Sequence, residues 1–202
     1  MIKRLFATFG AAAVCVLLLT TIHTQQMQQD MAGRVLRFHV LANSDSEQDQ
    51  ELKLKVRDEI GTMMAEKLQG AVSLEESREI VSENLQEIED TAKNTITAEG
   101  YSYPVTAVLE NCVFPEKTYG MFTFPAGNYE ALRVVIGEGE GHNWWCVMYP
   151  NLCFSGSMYE VDEQSGEVLR ETLSEEEYAA VLEEGNYKVK FKILEIINHM
   201  LE

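Results

Sequence analysis

Basic residues are scarce in this chain of 202 residues, which has 16 lysines and arginines against 33 aspartates and glutamates. The formal net charge of -17 gives the protein a surface that repels phosphate groups. This charge argues against nucleic acid as a partner and disfavours binding to an anionic membrane surface. Hydrophobic residues make up 46% of the chain, so a folded core is expected rather than disorder.

Several residue patterns that carry metal binding or phosphate binding are also missing. The chain has no C-x-x-C pair, and its four histidines lack the close pairing of structural zinc sites. Glutamates separate Gly137, Gly139 and Gly141, and no Lys-Ser or Lys-Thr follows them. This run therefore predicts a flexible or tightly turned connection rather than a phosphate-binding loop. We expect no cofactor, no metal site and no catalytic residue.

Acidic residues are absent from the start of the chain, where Lys3 and Arg4 precede an apolar stretch over 5–22. A short basic region followed by an apolar stretch is typical of an export signal. In a helix this stretch would reach roughly 27 Å, close to one hydrocarbon thickness, so it could also stay as a membrane anchor. Residues 1–24 are therefore predicted as a signal peptide or an N-terminal anchor, with the rest outside the cytoplasmic membrane.

The remaining chain predicts a polar, glutamine-rich tether over 25–33 and a single domain over 34–202. The domain begins with an alternating stretch over 34–42, which is typical of a half-buried strand. Serine followed three residues later by an acidic residue predicts the start of a helix. This pattern occurs at Ser46, Ser73 and Ser174, and the first two helices are expected to end at Gly70 and Gly100.

From residue 103 the apolar period changes to two, which predicts strands over 105–109, 119–124, 130–136 and 145–149. Residues 155–172 predict a polar loop, with a short hairpin near Ser165 and Gly166, and residues 173–202 predict C-terminal helices. Together these elements predict an α+β fold. The predicted fold has a mostly antiparallel sheet with two long helices packed on one face. It also contains a C-terminal amphipathic helix.

Three cysteines remain after the leader, namely Cys112, Cys146 and Cys153. An extracytoplasmic compartment permits disulfides, and a predicted turn separates Cys146 from Cys153, so these two are the candidate bridge. Three reduced thiols are the alternative. A thiol nucleophile needs a base within hydrogen-bond reach, so His142 with an unbridged Cys146 would suit a secreted thiol-dependent enzyme.

Two features suggest surfaces that contact a partner. Trp144 and Trp145 must point to opposite faces if both lie in a strand, so one of them could anchor an interface. An envelope-binding module built on these tryptophans is a further alternative. The second feature is the loop formed by Asn43, Ser44, Asp45 and Ser46, which is predicted mainly as a helix cap that could also touch a partner.

Two stretches resemble the stage II sporulation protein R family. The first is Leu-Arg-Phe-His-Val-Leu-Ala-Asn-Ser-Asp-Ser over 36–46, continued by Asp49-Gln50, Leu52-Lys53 and Val56-Arg57-Asp58. The second runs from Tyr119-Gly120 to Phe154, and its most specific part is Gly-Glu-Gly-Glu-Gly-His-Asn-Trp-Trp-Cys-Val over 137–147.

The resemblance implies a protein that is made in the forespore and exported into the space between forespore and mother cell. There it would activate a membrane-embedded aspartic protease, which removes the pro-sequence of sigma-E. The resemblance implies a ligand rather than an enzyme. It supplies no interface residues, so the predicted receptor contacts come from this sequence alone: Asn143, Trp144, Trp145, Asn43, Ser44, Asp45 and Ser46.

Overall fold

The computed structural model describes residues 2–152 and 163–182, together with residues 191, 192, 194 and 196. Its helices are α1 (Ile2–Ala32), α2 (Glu47–Lys67), α3 (Leu74–Glu83), α4 (Leu85–Ala98), α5 (Glu163–Thr172) and α6 (Glu175–Val181). Its strands are β1 (Leu36–Leu41), β2 (Val105–Phe114), β3 (Lys117–Tyr119), β4 (Phe122–Phe124), β5 (Gly127–Ile136) and β6 (Asn143–Tyr149). The predicted α+β class is confirmed.

The main sheet has four strands in the order β2-β5-β1-β6. Strand β1 runs parallel to β5 and antiparallel to β6, and β2 runs antiparallel to β5, so the sheet is mostly antiparallel as predicted. The prediction of a half-buried first strand is wrong, because all six residues of β1 are buried. Strand β1 lies in the interior of the sheet and both of its faces are covered, so its polar side chains are enclosed as well.

Two predicted elements are each divided by a local break. The strand predicted over 119–124 is a hairpin of β3 and β4, with Gly120 at a φ of 55° between them. The helix predicted from Ser73 to Gly100 is two helices, α3 and α4, which meet at Asn84. The side-chain amide of Asn84 donates to the Ile80 carbonyl oxygen at 2.7 Å, a local bond that competes with continued helical pairing.

One face of the sheet carries α2, α3 and α4. The Ser46 and Ser73 hydroxyls cap the first turns of α2 and α3, as predicted. Apolar residues of these helices form one core cluster with alternate residues of β1 and β5. Fully or almost fully buried members of this cluster are Leu36, Phe38, Val40, Leu52, Val56, Ile60, Met64, Val81, Ile88, Ala92, Ile96, Leu132 and Val134.

The opposite face carries the hairpin and parts of α1, α5 and α6, which form the second core cluster. Residues 25–32, predicted as a polar tether, are instead the last two turns of α1, and Met27 and Met31 are buried against the domain. Within the part of the chain described, no helix is found that is both long enough and apolar enough to cross a bilayer.

The C-terminal region differs from its prediction in one part. Residues 163–172, predicted within a polar loop, form α5, and the rest of that loop lies outside the described residues. The predicted capping box at the start of α6 is confirmed, because Ser174 accepts from the Glu177 amide and the Glu177 carboxylate accepts from the Ser174 amide. Of the predicted C-terminal amphipathic helix, the described residues are helical and Phe191 and Leu194 are buried.

Candidate interaction site

The two stretches that carry the family resemblance fold against each other. Residues 43–46, which join β1 to α2, contact residues 137–142, which join β5 to β6; together we call them the loop pair. The Gly141 amide donates to the Ala42 carbonyl oxygen at 3.0 Å, and the Glu140 amide donates to the Asn43 carbonyl oxygen at 3.2 Å. The Asp45 carboxylate accepts from the His142 amide at 2.6 Å. The loops are therefore joined by both backbone and side-chain hydrogen bonds.

The glycines at 137 and 141 allow the two loops to approach each other this closely. A Cβ atom at Gly137 would lie 2.1 Å from the Asn43 side-chain oxygen, and one at Gly141 would lie 2.2 Å from the Ser44 carbonyl oxygen. Gly137 and Gly139 also have φ angles of 60° and 67°, which side chains with a Cβ atom rarely adopt. Of the two predicted forms, the tight turn is the one found. Glycine is also required by the Asn43 side chain at Gly137 and by the Ser44 backbone at Gly141.

Asp49 holds the first loop in place from the start of α2. Its carboxylate accepts from the Asn43 amide at 2.9 Å and from the Ser44 hydroxyl at 2.6 Å, and its own amide donates to the Ser46 hydroxyl at 3.2 Å. Burial acts to raise the pKa of Asp49, but hydrogen bonds from Ser44, Asn43 and Tyr103 outweigh it and hold the pKa below its usual value. The loop is thus a fixed cap, as predicted, rather than a loose connection.

Lys53 connects the second loop to α2. Its ammonium donates to the His142 carbonyl oxygen at 3.0 Å and to the Gln50 side chain at 2.5 Å. Burial is the main cause that lowers the pKa of Lys53, and the charge of Arg57 lowers it further. The Lys53 ammonium therefore ties the second loop of the loop pair to α2.

The outer surface of the loop pair carries an aspartate–histidine pair. The His142 ring contacts the Asp45 carboxylate, and the two side chains are 81% and 54% exposed. The hydrogen bonds from the His142 ring and amide hold the pKa of Asp45 below its usual value. His142 is thus directed toward Asp45, on the solvent side of the site.

The cysteines do not support the thiol-enzyme alternative. Cys146 is buried in the second core cluster, with 3% of its surface exposed. Cys15 and Cys112 are free thiols, and burial raises the pKa of Cys112. Cys153 lies outside the described residues, so the Cys146–Cys153 bridge stays a prediction. Cys146 is buried in the core and the exposed His142 ring is directed toward Asp45, an arrangement that does not support a thiol with its base.

Trp144 and Trp145 point to opposite faces of β6, as predicted. The Trp144 ring meets Phe38 edge-on with ring centres 5.5 Å apart, and the Arg57 guanidinium lies 5.0 Å from its centre. The Trp145 ring stacks on His39 at 4.9 Å. Both tryptophans are half-buried, so neither projects fully into solvent. They contribute edges to the surface beside the loop pair, and their contact with a receptor stays a prediction.

His39 lies beneath Trp145 in the interior of the sheet. Its ring also contacts Phe114 at a centre distance of 5.2 Å, and its Nδ1 atom lies 3.2 Å from the Asn143 side-chain oxygen. Burial lowers the pKa of His39 from 6.5 to about 4, which the Asn143 hydrogen bond only partly opposes. His39 is therefore neutral in the folded protein at neutral pH.

We expect this pKa to make the protein less stable in mild acid. Between pH 6.5 and about 4 the unfolded chain binds a proton at His39 and the folded chain does not, so stability falls as the pH falls through this window. The free energy of unfolding should drop by about 2 kcal/mol between pH 7.5 and pH 5 from this group alone. Urea denaturation of the wild type and of His39→Gln at both pH values measures it, and equal pH dependence in the two proteins contradicts it.

The role of Arg37 was not predicted from the sequence, which indicated only that it lies in a half-buried strand over 34–42. Its side chain is fully buried, and its guanidinium lies 4.4 Å from the centre of the Phe114 ring and 4.8 Å from that of Tyr129. It donates to the Cys146 carbonyl oxygen at 3.0 Å and to the Tyr119 hydroxyl at 2.9 Å. Arg37 thus links β1, β6 and the hairpin beneath the candidate site.

These features define a class of protein: an α+β domain in which a polar network joins a strand-to-helix cap to a glycine-rich loop. Among the residues that the structure describes, no group of three histidine, cysteine, aspartate or glutamate side chains is placed to hold a metal ion.

Comparison with known proteins agrees with the resemblance. The family of stage II sporulation protein R matches residues 32–159, which include the whole loop pair. Stage II sporulation protein R of Bacillus subtilis (strain 168) is 38% identical over 138 residues, which cover 68% of this chain and 59% of the relative. The match thus spans about three fifths of that relative, and no solved structure matches. The chain belongs to the stage II sporulation protein R family.

Proposed function

We propose that this chain is an exported signalling protein of sporulation that activates a membrane-embedded aspartic protease, which in turn processes the precursor of sigma-E. Membership of the stage II sporulation protein R family carries this proposal. The basic and then apolar start of the chain supports export. The folded part would act between forespore and mother cell, with its leader either removed or kept as an anchor over 5–22.

The proposed mechanism is selective binding of one state of the receptor. A ligand activates a receptor only if it binds the active arrangement more tightly than the inactive one. A surface that is already rigid suits this task, because it loses little conformational entropy on binding. The hydrogen bonds within the loop pair supply such rigidity. We place the receptor contacts at Asn43, Ser44, Asp45, Ser46, Asn143, Trp144 and Trp145, with His142 added from the structure.

We also infer that the chain acts by binding rather than by catalysis. The exposed His142 ring is directed toward Asp45, and Cys146 is buried in the second core cluster. The site therefore offers hydrogen-bonding groups and aromatic edges, which suit recognition, but not a thiol with its base. The acidic charge of the chain likewise favours a protein partner over nucleic acid.

Co-expression tests the function. The full chain, the receptor protease and the sigma-E precursor are produced together in a host that does not sporulate, and the precursor is followed by its mobility on a gel. We expect shortening of the precursor only when all three proteins are present. A variant that lacks residues 5–22 is the matched control for export and should leave the precursor intact. A precursor that stays full length with all three proteins contradicts the proposal.

The surface assignment is tested separately in the same assay. His142→Ala, Trp144→Ala and Trp145→Ala should each reduce processing by roughly tenfold, because central contacts carry most of the binding energy of an interface. Asn94→Ala, at an exposed position of α4, should leave processing unchanged. Circular dichroism confirms that each variant is folded. Folded variants that still activate fully would show that the contacts lie elsewhere, while the signalling proposal would stand.

A further inference from the structure

The last two turns of α1 lie against the sheet through one narrow face. The buried residues of this face are Thr24, Met27, Gln28 and Met31, which follow the helical spacing i, i+3, i+4 and i+7. The glutamines between them, at 25, 26 and 29, are exposed. Val16, Leu18, Leu19 and Ile22, nearer the N-terminus, are each more than half exposed. Among the side chains of α1 that the structure describes, the buried ones begin at Thr24, next to the ion-paired His23.

Apolar burial and two ion pairs hold this segment in place. Met27 and Met31 join the second core cluster. His23 pairs with Glu176 at 3.0 Å, and Arg34 pairs with Glu177 at 3.2 Å, so both ends of the segment are linked to α6. His23, Glu176 and Arg34 are about half exposed, and pairs in such positions contribute little to stability. The methionines therefore provide most of the attraction.

Buried hydrogen-bond donors without an acceptor weaken the attachment of this segment to the sheet. The Gln28 amide approaches the Tyr129 hydroxyl, which already donates to the Pro125 carbonyl oxygen, and its Nε2 atom has no acceptor in hydrogen-bonding geometry. Arg37 Nη1 is likewise buried without an acceptor. Each of these groups would regain hydrogen bonds to water if it became accessible. The fit around Gln28 is also tight, since a Cβ atom at Gly127 would lie 1.9 Å from Nε2.

We propose that residues 24–32 form a strap that detaches from the sheet and reattaches as a unit while the rest of the domain stays folded. Its attachment rests on two methionines and is weakened by the Gln28 amide nitrogen, which is buried without an acceptor in hydrogen-bonding geometry. Because the strap is continuous with the exposed apolar part of α1, any event that fixes, moves or removes that part acts directly on the strap. Local opening of such weakly held elements below the global unfolding free energy is a general property of folded proteins.

Hydrogen exchange of the full chain tests the strap. We expect the amides of residues 24–32 to exchange roughly a hundredfold faster than those of β1, and far more slowly than in an unstructured peptide. Exchange at the rate of β1 would mean that the segment opens only by global unfolding and would overturn the proposal. Exchange at the rate of an unstructured peptide would mean that the segment is not attached, and would overturn it too.

A matched pair of variants tests the role of the unpaired amide. Gln28→Met keeps the shape of the side chain and removes the buried donor, so exchange of residues 24–32 should slow by roughly tenfold. Gln29→Met changes the exposed neighbour on the same helix and should leave exchange unchanged. Equal effects of the two variants, or no effect of Gln28→Met, would overturn the proposal. Gly127→Ala alone should accelerate exchange of residues 24–32, because its Cβ atom would clash with the Gln28 amide. In a protein that also carries Gln28→Ala this clash is absent, so Gly127→Ala should then have no effect on exchange.

Discussion

Gly141→Ala is expected to lower the free energy of unfolding by about 3 kcal/mol and to separate the two loops of the candidate site. The added Cβ atom would lie 2.2 Å from the Ser44 carbonyl oxygen and 2.6 Å from the Ser44 carbonyl carbon. Both are backbone atoms, so no side-chain rotation can relieve the clash and one loop must move. Urea denaturation of the full chain, followed by tryptophan fluorescence, measures the loss.

Gly33→Ala is the matched control for this change. A Cβ atom at Gly33 would meet its nearest neighbours at 3.5 and 3.6 Å, which is ordinary van der Waals contact. We expect a change within about 0.5 kcal/mol of the wild type at this position. If Gly141→Ala were as stable as Gly33→Ala, the close approach of the two loops would not exist in solution. A loss of processing in the co-expression assay for Gly141→Ala alone would further connect the loop pair with signalling.

Arg37→Ala is expected to lower the free energy of unfolding by about 3–4 kcal/mol. The change removes a fully buried side chain from between the Phe114 and Tyr129 rings and leaves a cavity there. It also takes the donor from the Tyr119 hydroxyl and from the Cys146 carbonyl oxygen. Both groups lie at buried positions, where water cannot easily replace the donor.

Arg37→Met separates the contribution of volume from that of charge. Methionine fills most of the space, carries no charge, and so avoids the cost of burying a guanidinium without a carboxylate partner. We expect Arg37→Met to cost less than about 1.5 kcal/mol. A loss as large as that of Arg37→Ala would show that cation–π attraction and hydrogen bonds matter more than packing. A negligible effect of both variants would contradict the described burial of Arg37.

The candidate site itself was partly foreseeable. The cap residues 43–46 and the glycine run at 137–141 were both recognised from sequence, but nothing in the sequence placed them in contact. The contact arises because β1 pairs with both β5 and β6, which brings the loop after β1 beside the loop that joins β5 to β6. The pairing of Asp45 with His142 follows from that topology and spans nearly a hundred residues of sequence.

The burial of polar strand faces was harder to predict from the sequence. Arg37 and His39 alternate with Leu36, Phe38 and Val40, a pattern that normally indicates a polar face in water. Their burial depends on the hairpin and the C-terminal helices, which cover that face from distant parts of the chain. The same cover explains why residues 25–32 pack as a helix rather than act as a tether, since Met27 and Met31 find an apolar surface that only the folded domain provides.

The sequence by itself determined the class of fold, the three serine caps, the tight glycine turn and the opposite orientation of the two tryptophans. Each of these depends on residues within a few positions of one another, where hydrogen-bonding geometry and side-chain period act alone. The tertiary structure decided which faces are buried, where helices and strands break, and which loops meet. Those outcomes depend on burial and hydrogen bonds between segments far apart in the chain, whose free energy exists only once the whole domain has assembled.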